Sequence, residues 1–308
     1  MTPIARSKAS KAFTASNLTP PALKTPEVLE MILFHTDMRT LLTSCQRVCR
    51  GWRYLITKSP SIQKALFFTP IKESEWGVGE TVHSSLLAES FPTIFPANGD
   101  QDHRGFSFSD CAMTKDLASL DRFVRKGASW RMMLVQQPPI LELGLFHIDH
   151  NKGGDSAPRI SIPANPKKQA HGDEGLRMGR LFDILLFDST FRYGKFKSTR
   201  LCWSTDKPTD IRFRKDLHQN AFYKMLDQLG LVLYTRQVIQ CARPSRSQSI
   251  GGKTTKKGEI INAYKEHGLD IYSQEEEIKA YRMSAAKGIE CSYWNSNSDD
   301  GDANELDK

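Results

Sequence analysis

Cysteine and long apolar runs are both scarce in this chain of 308 residues. The six cysteines fall at irregular spacing, which is typical of a reducing compartment and excludes a disulfide-stapled miniprotein. The most apolar stretches, Ile184–Phe187 and Leu66–Phe68, are far shorter than the ~20 residues that a bilayer-spanning helix needs. The N-terminus lacks the apolar centre of a secretory signal and the arginines of a mitochondrial presequence. We therefore expect a cytoplasmic or nuclear protein without a membrane span.

Internal repeats are also absent, and the composition excludes collagen and a coiled coil. Hydrophobic residues make up 39% of the chain, below the roughly 45–50% of a compact globule, so we expect long loops or tails. The net charge of +8 permits a nucleic-acid partner but argues weakly for one. Residues 1–24 and 243–258 hold nine basic side chains and no acid, whereas Ile289–Lys308 holds six acids and one lysine.

Composition shifts divide the chain into six segments of an α+β protein. They are a disordered basic arm (1–24), a domain of three to four helices (25–69), a mixed α+β domain (70–242), a basic linker (243–258), a helical segment (259–290) and a disordered acidic tail (291–308). In the α+β domain we predict helices at Leu117–Lys126, Leu176–Phe187 and Phe213–Leu229, strands at Trp130–Val135, Ile140–Ile148, Ser198–Trp203 and Leu231–Cys241, and a long loop over 151–173. A strand across Phe182–Phe187 is the alternative to the second helix.

The 25–69 segment carries clear helix-start signals. Thr25 can cap a helix that begins at Pro26, and Asp37 can cap a second one over Met38–Cys45. We predict a third helix over Val48–Thr57 and a fourth after the Ser59-Pro60 break. These short helices carry more apolar side chains than they can bury against one another, which favours a protein partner.

The segment from Thr25 to Phe68 resembles an F-box. That family's pattern opens with Leu-Pro and an acid. An apolar helix and an aspartate before a Leu-Leu pair come next, and the pattern ends with Val-Cys-Arg-x-Trp, Leu-Ile and Ser-Pro. The matching residues here are Pro26, Glu27, Ile32, Leu33, Asp37, Leu41, Leu42, Val48, Cys49, Arg50, Trp52, Leu55, Ile56, Ser59 and Pro60. Thr25 departs from the pattern, because the family has leucine there. Segments at 59–68, 128–139 and 230–238 are also similar to F-box proteins of filamentous fungi.

The resemblance implies a substrate receptor of a Skp–cullin–F-box ubiquitin ligase. Residues 25–69 would dock the Skp adaptor, and the α+β domain would present a protein substrate. No catalytic residue and no cofactor are implied, because other subunits would carry out ubiquitin transfer. The residues implied to line or support the adaptor interface are Pro26, Ile32, Leu33, Leu41, Leu42, Val48, Cys49 and Trp52. Trp52 is the best hot-spot candidate, since a buried tryptophan can contribute about 2 kcal/mol or more.

The residues give little indication of a metal site, a nucleotide site or a catalytic site. Cys45 and Cys49 could share a helix face, but a structural zinc site needs four ligands, so we interpret both as core thiols. His147 and His150 would point to opposite faces of a strand, and we interpret them as ordinary strand-end histidines. The sequence contains no nucleophile elbow, and its partial phosphate-binding loop has Ser247 where glycine is required. We therefore predict no catalytic constellation and no metal site.

Two further uses of the chain stay open. The short helices could serve a protein-interaction scaffold outside any ligase. Residues 188–215 mix eight basic residues and three acids with aromatic side chains, a combination that can bind single-stranded nucleic acid or an acidic or phosphorylated peptide. The same pattern also fits the solvated face of an ordinary sheet.

Overall fold

The chain folds into two compact units, Met1–Val78 and Gly79–Lys308. The structure, a computed structural model, describes residues 23, 25–71, 80–95, 106, 108–151, 154–164, 175–187, 197–238, 256–269 and 279. Helices and mixed sheets both occur, which confirms the predicted α+β class. No helix in these ranges is long and apolar enough to cross a membrane. The predicted acidic tail, nearly all of the basic arm, and residues 270–278 and 280–290 of the predicted helical segment lie outside the described residues.

The first unit consists of short helices. They are α1 (Pro26–Phe34), α2 (Met38–Thr40), a π-helical segment (Leu41–Cys45), α3 (Gln46–Val48), α4 (Arg50–Lys58) and α5 (Pro60–Ala65). Two predicted helix starts are confirmed by their caps. The Asp37 carboxylate accepts a hydrogen bond from the Thr40 amide (2.9 Å), and Ser59 Oγ accepts one from the Ile62 amide (3.2 Å). Thr25 occupies the N-cap position of α1, but its side chain makes no capping hydrogen bond.

The second unit is built on a five-stranded mixed sheet. Its helices are α6 (Ser85–Ser90), α7 (Leu117–Val124), α8 (Met178–Phe187), α9 (Asp216–Leu229) and α10 (Lys256–Glu266), and its strands are β1 (Val82–His83), β2 (Gln136–Gln137), β3 (Glu142–Asn151), β4 (Gly154–Ser156), β5 (Arg159–Pro163), β6 (Lys197–Trp203) and β7 (Leu231–Val238). Strands β3 and β7 form a central parallel pair. Strand β6 runs antiparallel to β7, and both β4 and β5 run antiparallel to β3. Strands β1 and β2 form a separate pair.

Helix α9 covers one face of the sheet. Its Phe222 and Leu226 pack with Phe146, Val232 and Tyr234 in an apolar cluster. The helix ends at Leu229, as predicted, and is capped by Gly230, whose φ of 77° is a left-handed conformation that glycine adopts without strain. Strand β7 begins at the next residue, so this glycine turns the chain directly from the covering helix into the centre of the sheet.

A second core forms around α8, whose residues Leu181–Phe187 are all buried. The Phe182 ring lies 5.5 Å from the Trp130 ring and 5.8 Å from the Phe91 ring, centroid to centroid. The helix also carries a buried carboxylate, Asp183, which pairs with Arg131 at 2.6 Å and accepts a hydrogen bond from the Tyr264 hydroxyl at 2.8 Å. This network attaches α10 to the centre of the second unit.

Three segments of this unit differ from the sequence prediction. The strand predicted at Trp130–Val135 is wrong, because Ser129–Met132 is a 3₁₀ helix. Trp130 packs among aromatic rings while Arg131 binds Asp183, and neighbouring residues of a strand would point to opposite faces.

The long loop predicted over 151–173 is also wrong for residues 154–163, which contain β4 and β5, whereas residues 165–173 lie outside the described ranges. Its glycine and proline content indicated a loop, but among the described strands β5 pairs with β3 alone, and such an edge strand tolerates a proline like Pro163. The predicted basic linker ends three residues too late, since α10 begins at Lys256; its other residues lie outside the described ranges.

Candidate protein-docking surface

The core of the first unit is small and apolar. Side chains from α1, the π segment, α4 and α5 meet in it, with Leu66 closing the end. The seven buried members are Leu29, Leu33, Leu41, Cys45, Ile56, Ile62 and Leu66. The Ser59 hydroxyl, which caps α5, also donates a hydrogen bond to the Glu30 carboxylate and so ties α5 to α1.

The structure divides the eight residues implied for the interface into three groups. Leu33 and Leu41 are buried core residues. Leu42 and Trp52 are half-buried and pack against that core. The exposed residues are Pro26, Ile32, Val48 and Cys49. A partner can therefore contact the third group directly, whereas Leu33 and Leu41 can only support the surface from below.

Helix α1 carries an exposed apolar stripe beside its buried one. Val28, Met31 and Ile32 lie three and four residues apart, so they share a face, and they are 37%, 65% and 44% exposed. Phe34, three residues after Met31, is 51% exposed. The interface residues that the F-box resemblance implies include only Ile32 of these four. The sequence did carry a signal for this exposed stripe. Six of the nine residues of α1 have large apolar side chains, which is more than one face of the helix can bury.

Val48 lies outside the core, although the predicted helix over Val48–Thr57 would place it on one face with Trp52. It ends α3 and is 59% exposed. Cys49, with φ −160° and ψ 172°, is extended and separates α3 from α4, so no single helix joins Val48 to Trp52. The π-helical segment also contributes to the exposure of Val48. Its wider turn rotates Val48 away from the core, which the buried Leu41 and Cys45 face.

The two cysteines of this unit differ in environment. Cys45 is buried within the core cluster, which confirms it as a core thiol, and this burial raises the pKa of its thiol. Cys49 is exposed, so the same interpretation was wrong for it. No group of three or more metal-ligating side chains occurs among the described residues.

The two histidines that the sequence analysis considered, His147 and His150, lie in the second unit. His147, on β3, contacts Thr235 Oγ1 through Nδ1 (2.7 Å) and Asp149 Oδ1 through Nε2 (2.9 Å). His150, at the end of the same strand, is buried. Both ring nitrogens of His147 thus serve contacts within the sheet, in keeping with a structural histidine.

Only part of the 188–215 segment falls in the described ranges. Its aromatic residues Trp203 and Phe213 pack against other rings, 5.5 Å from Phe95 and 6.0 Å from Tyr234, centroid to centroid. Trp203 is buried and therefore not available for stacking on nucleic-acid bases, whereas Phe213 is half-buried.

No protein-family model matches this chain, and no curated protein or solved structure is significantly similar to it.

Proposed function

We propose that this protein is an F-box substrate receptor, which docks the Skp adaptor through its first unit and recruits a protein substrate to a Skp–cullin–F-box ubiquitin ligase. In this proposal the chain binds the adaptor and the substrate and positions the substrate, while other subunits carry out ubiquitin transfer. Holding the substrate near the transfer machinery raises its effective concentration. The resemblance of Thr25–Phe68 to the F-box pattern is the basis for proposing the Skp adaptor as the partner.

The observation that supports a docking role is the distribution of exposed apolar side chains. Eleven large apolar residues are exposed in the described chain, and six belong to the first unit, which holds about a quarter of the described residues. The six are Val28, Met31, Ile32, Phe34, Val48 and Tyr54. Exposed apolar side chains concentrated in so small a unit are typical of a surface that a partner covers.

Exposed residues offer the cleanest test of adaptor binding. Leu41→Ala would be uninformative, because a core truncation of this kind costs about 2–5 kcal/mol and would unfold the unit itself. Ile32→Asp and Val48→Asp change side chains that are 44% and 59% exposed. Each should weaken binding to the co-expressed Skp adaptor at least about tenfold, since it places an unpaired charge in an apolar interface.

Leu217→Asp is the matched control, because Leu217 is 74% exposed and lies in the second unit. It should bind the adaptor like the wild type. Isothermal titration measures the affinities, and thermal unfolding verifies that each variant is folded. A wild-type chain that does not bind the adaptor, or an Ile32→Asp and Val48→Asp pair that binds normally, would show the proposal to be wrong.

We also propose a cytoplasmic or nuclear location. The four cysteines in the described ranges, Cys45, Cys49, Cys111 and Cys202, are free thiols, as is usual in a reducing compartment.

A further inference from the structure

Helix α4 carries a group of basic and aromatic side chains on the side that faces solvent. The members of this group lie three or four residues apart along the helix, and all of them are exposed. They are Arg50, Arg53, Tyr54 and Lys58, which we call the basic face. The opposite side of α4 carries Trp52, Leu55 and Ile56, which pack in the core of the first unit. This core contact fixes the helix so that the basic face points away from the unit.

The charge of the basic face is not neutralised by any described residue. Residues 38–69 contain six basic residues and no aspartate or glutamate. The acids in the described part of the first unit all precede this run, at Glu27, Glu30 and Asp37. The guanidinium groups of Arg50 and Arg53 and the ammonium group of Lys58 form no ion pair with any described residue. The basic face is therefore a surface of uncompensated positive charge, which attracts an anionic partner.

The residues just before α4 extend this positive charge. Arg47 and Val48 are both exposed, Val48 by 59%, and Arg47 forms no ion pair among the described residues. Arg47 lies three residues before Arg50, so their α carbons are at most about 11 Å apart. The same unit also contains residues 1–24, whose sequence holds four basic side chains and no acid. An extended anionic partner therefore meets several basic side chains together with an exposed tyrosine and an exposed valine.

The chemistry of the basic face favours the surface of an anionic lipid bilayer. Anionic headgroups attract clusters of basic side chains, whose methylene stems lie along apolar surface while the charged ends stay in water. Tyrosine is enriched at the headgroup level because it combines an apolar ring with a polar hydroxyl. Single-stranded nucleic acid instead requires several rings for base stacking, and within the described helix Arg50–Lys58 only Tyr54 is an exposed aromatic residue.

We propose that the basic face binds the anionic headgroups of a membrane surface and places the first unit peripherally on the bilayer. Arg50, Arg53 and Lys58 contact the headgroups, and the Tyr54 ring lies beside them at the headgroup level. With nine residues α4 is too short to span a bilayer, so it lies on the surface. None of these residues is among the eight implied for the adaptor interface, so this inference goes beyond the proposed function and does not rest on it.

Co-sedimentation of the full-length protein with vesicles tests this proposal without the adaptor. The protein should pellet with mixed vesicles of phosphatidylcholine and phosphatidylserine, stay in solution with phosphatidylcholine alone, and leave the mixed vesicles in high salt. Arg53→Gln should lower the partition coefficient about fivefold, and Arg50→Gln together with Arg53→Gln about 25-fold, since basic residues near the surface contribute similar shares. Tyr54→Ser should weaken binding without changing its salt dependence, because it removes a ring but no charge. Thermal unfolding verifies that each variant is folded.

Arg125→Gln together with Lys126→Gln is the matched control for the double variant. Both side chains are exposed in the second unit, and neither forms an ion pair in the described part of the chain. The control removes the same charge and should bind the mixed vesicles like the wild type. Equal losses in the two double variants would reduce the effect to overall charge and overturn the basic face as the site. Failure to bind the mixed vesicles at low salt, equal binding to phosphatidylcholine alone, or tighter binding to duplex DNA than to the mixed vesicles would overturn the membrane assignment.

Discussion

The cysteines show how far the surroundings of one residue alter its chemistry. Cys202 lies on β6 within the cluster under α9 and is 2% exposed. Burial raises the pKa of its thiol to about 12, because the thiolate would lose its hydration. Cys49 has the same side chain but faces solvent at a helix break. The sequence interpretation assigned one role, that of a core thiol, to both Cys45 and Cys49, whereas burial separates an inert thiol from an accessible one.

The Cys202 thiol should give the folded protein a defined sensitivity to alkali. Its pKa is raised in the folded state, so the unfolded chain loses the proton first, near the ordinary value of 9.0. The stability linked to this group is therefore complete below pH 9 and falls by about 1.4 kcal/mol per pH unit as the pH rises towards 12. Urea denaturation below and above pH 9 measures the free energy of unfolding.

Cys202→Ala serves as the control for this prediction. It lowers stability by a constant amount through the lost packing, but it should flatten the alkaline slope relative to the wild type. Parallel slopes in the two proteins would contradict the expectation.

Among the helices, the π-helical segment Leu41–Cys45 sets the direction of the residues after it. Leu41 and Cys45 both face the core, whereas Val48, seven residues after Leu41, is exposed. In an uninterrupted α-helix these three residues would share a face. The Thr43 hydroxyl donates a hydrogen bond to the Arg39 carbonyl (2.7 Å), a side-chain bond that competes with the regular ladder. The segment thus holds one residue more than α-helical turns would need.

Deleting or inserting one residue should show whether the segment holds an extra residue or is an ordinary α-helix. Deleting Ser44 should convert the segment to α-helix while keeping the direction of Cys45 and Val48. Inserting alanine after Ser44 should rotate both by about 100° and take Cys45 out of the core. We expect the insertion to cost at least about 2 kcal/mol more than the deletion, measured by chemical denaturation of the full chain. Equal costs would mean that the segment carries no extra residue.

The two units of the molecule differ in how much core they possess. The first unit buries seven side chains in a single cluster. The second has the cluster under α9, the aromatic core around α8 and the buried network of Arg131, Asp183 and Tyr264. Because a small domain buries a small fraction of its surface, the first unit should be marginally stable without a partner.

Separate fragments should show this difference. Residues 79–308 should unfold cooperatively on heating, because their cores lie within that range. Residues 1–78 should give a broad, low-temperature transition by circular dichroism, which sharpens and rises when the Skp adaptor is added. A cooperative transition of residues 1–78 at high temperature in the absence of a partner would contradict the argument.

The sequence predicted most of the regular elements of this fold. Helices α8 and α9 and strands β3, β6 and β7 lie where periodicity placed them, with ends that differ by a few residues. Prediction failed where a distant contact decides the local conformation. Strand β5 exists because it pairs with β3, and the 3₁₀ helix at Ser129–Met132 exists because neighbouring side chains both enter the core.

For the proposed docking surface, the sequence pointed to the segment Thr25–Phe68 but could not separate its buried core from its exposed face. The exposed stripe on α1 and the outward Val48 depend on how the helices pack.

Caps and helix ends could be foreseen from the sequence because they depend on near neighbours. Asp37 binds an amide three residues away, and Gly230 adopts the left-handed conformation that other residues avoid. Tertiary structure alone decided which apolar side chains are buried and which polar ones meet. Asp183 and Tyr264 are 81 residues apart and share a hydrogen bond, and Ser198 and Arg236 become cross-strand partners only where β6 pairs with β7. Such contacts depend on the packing of distant segments, which no local pattern encodes.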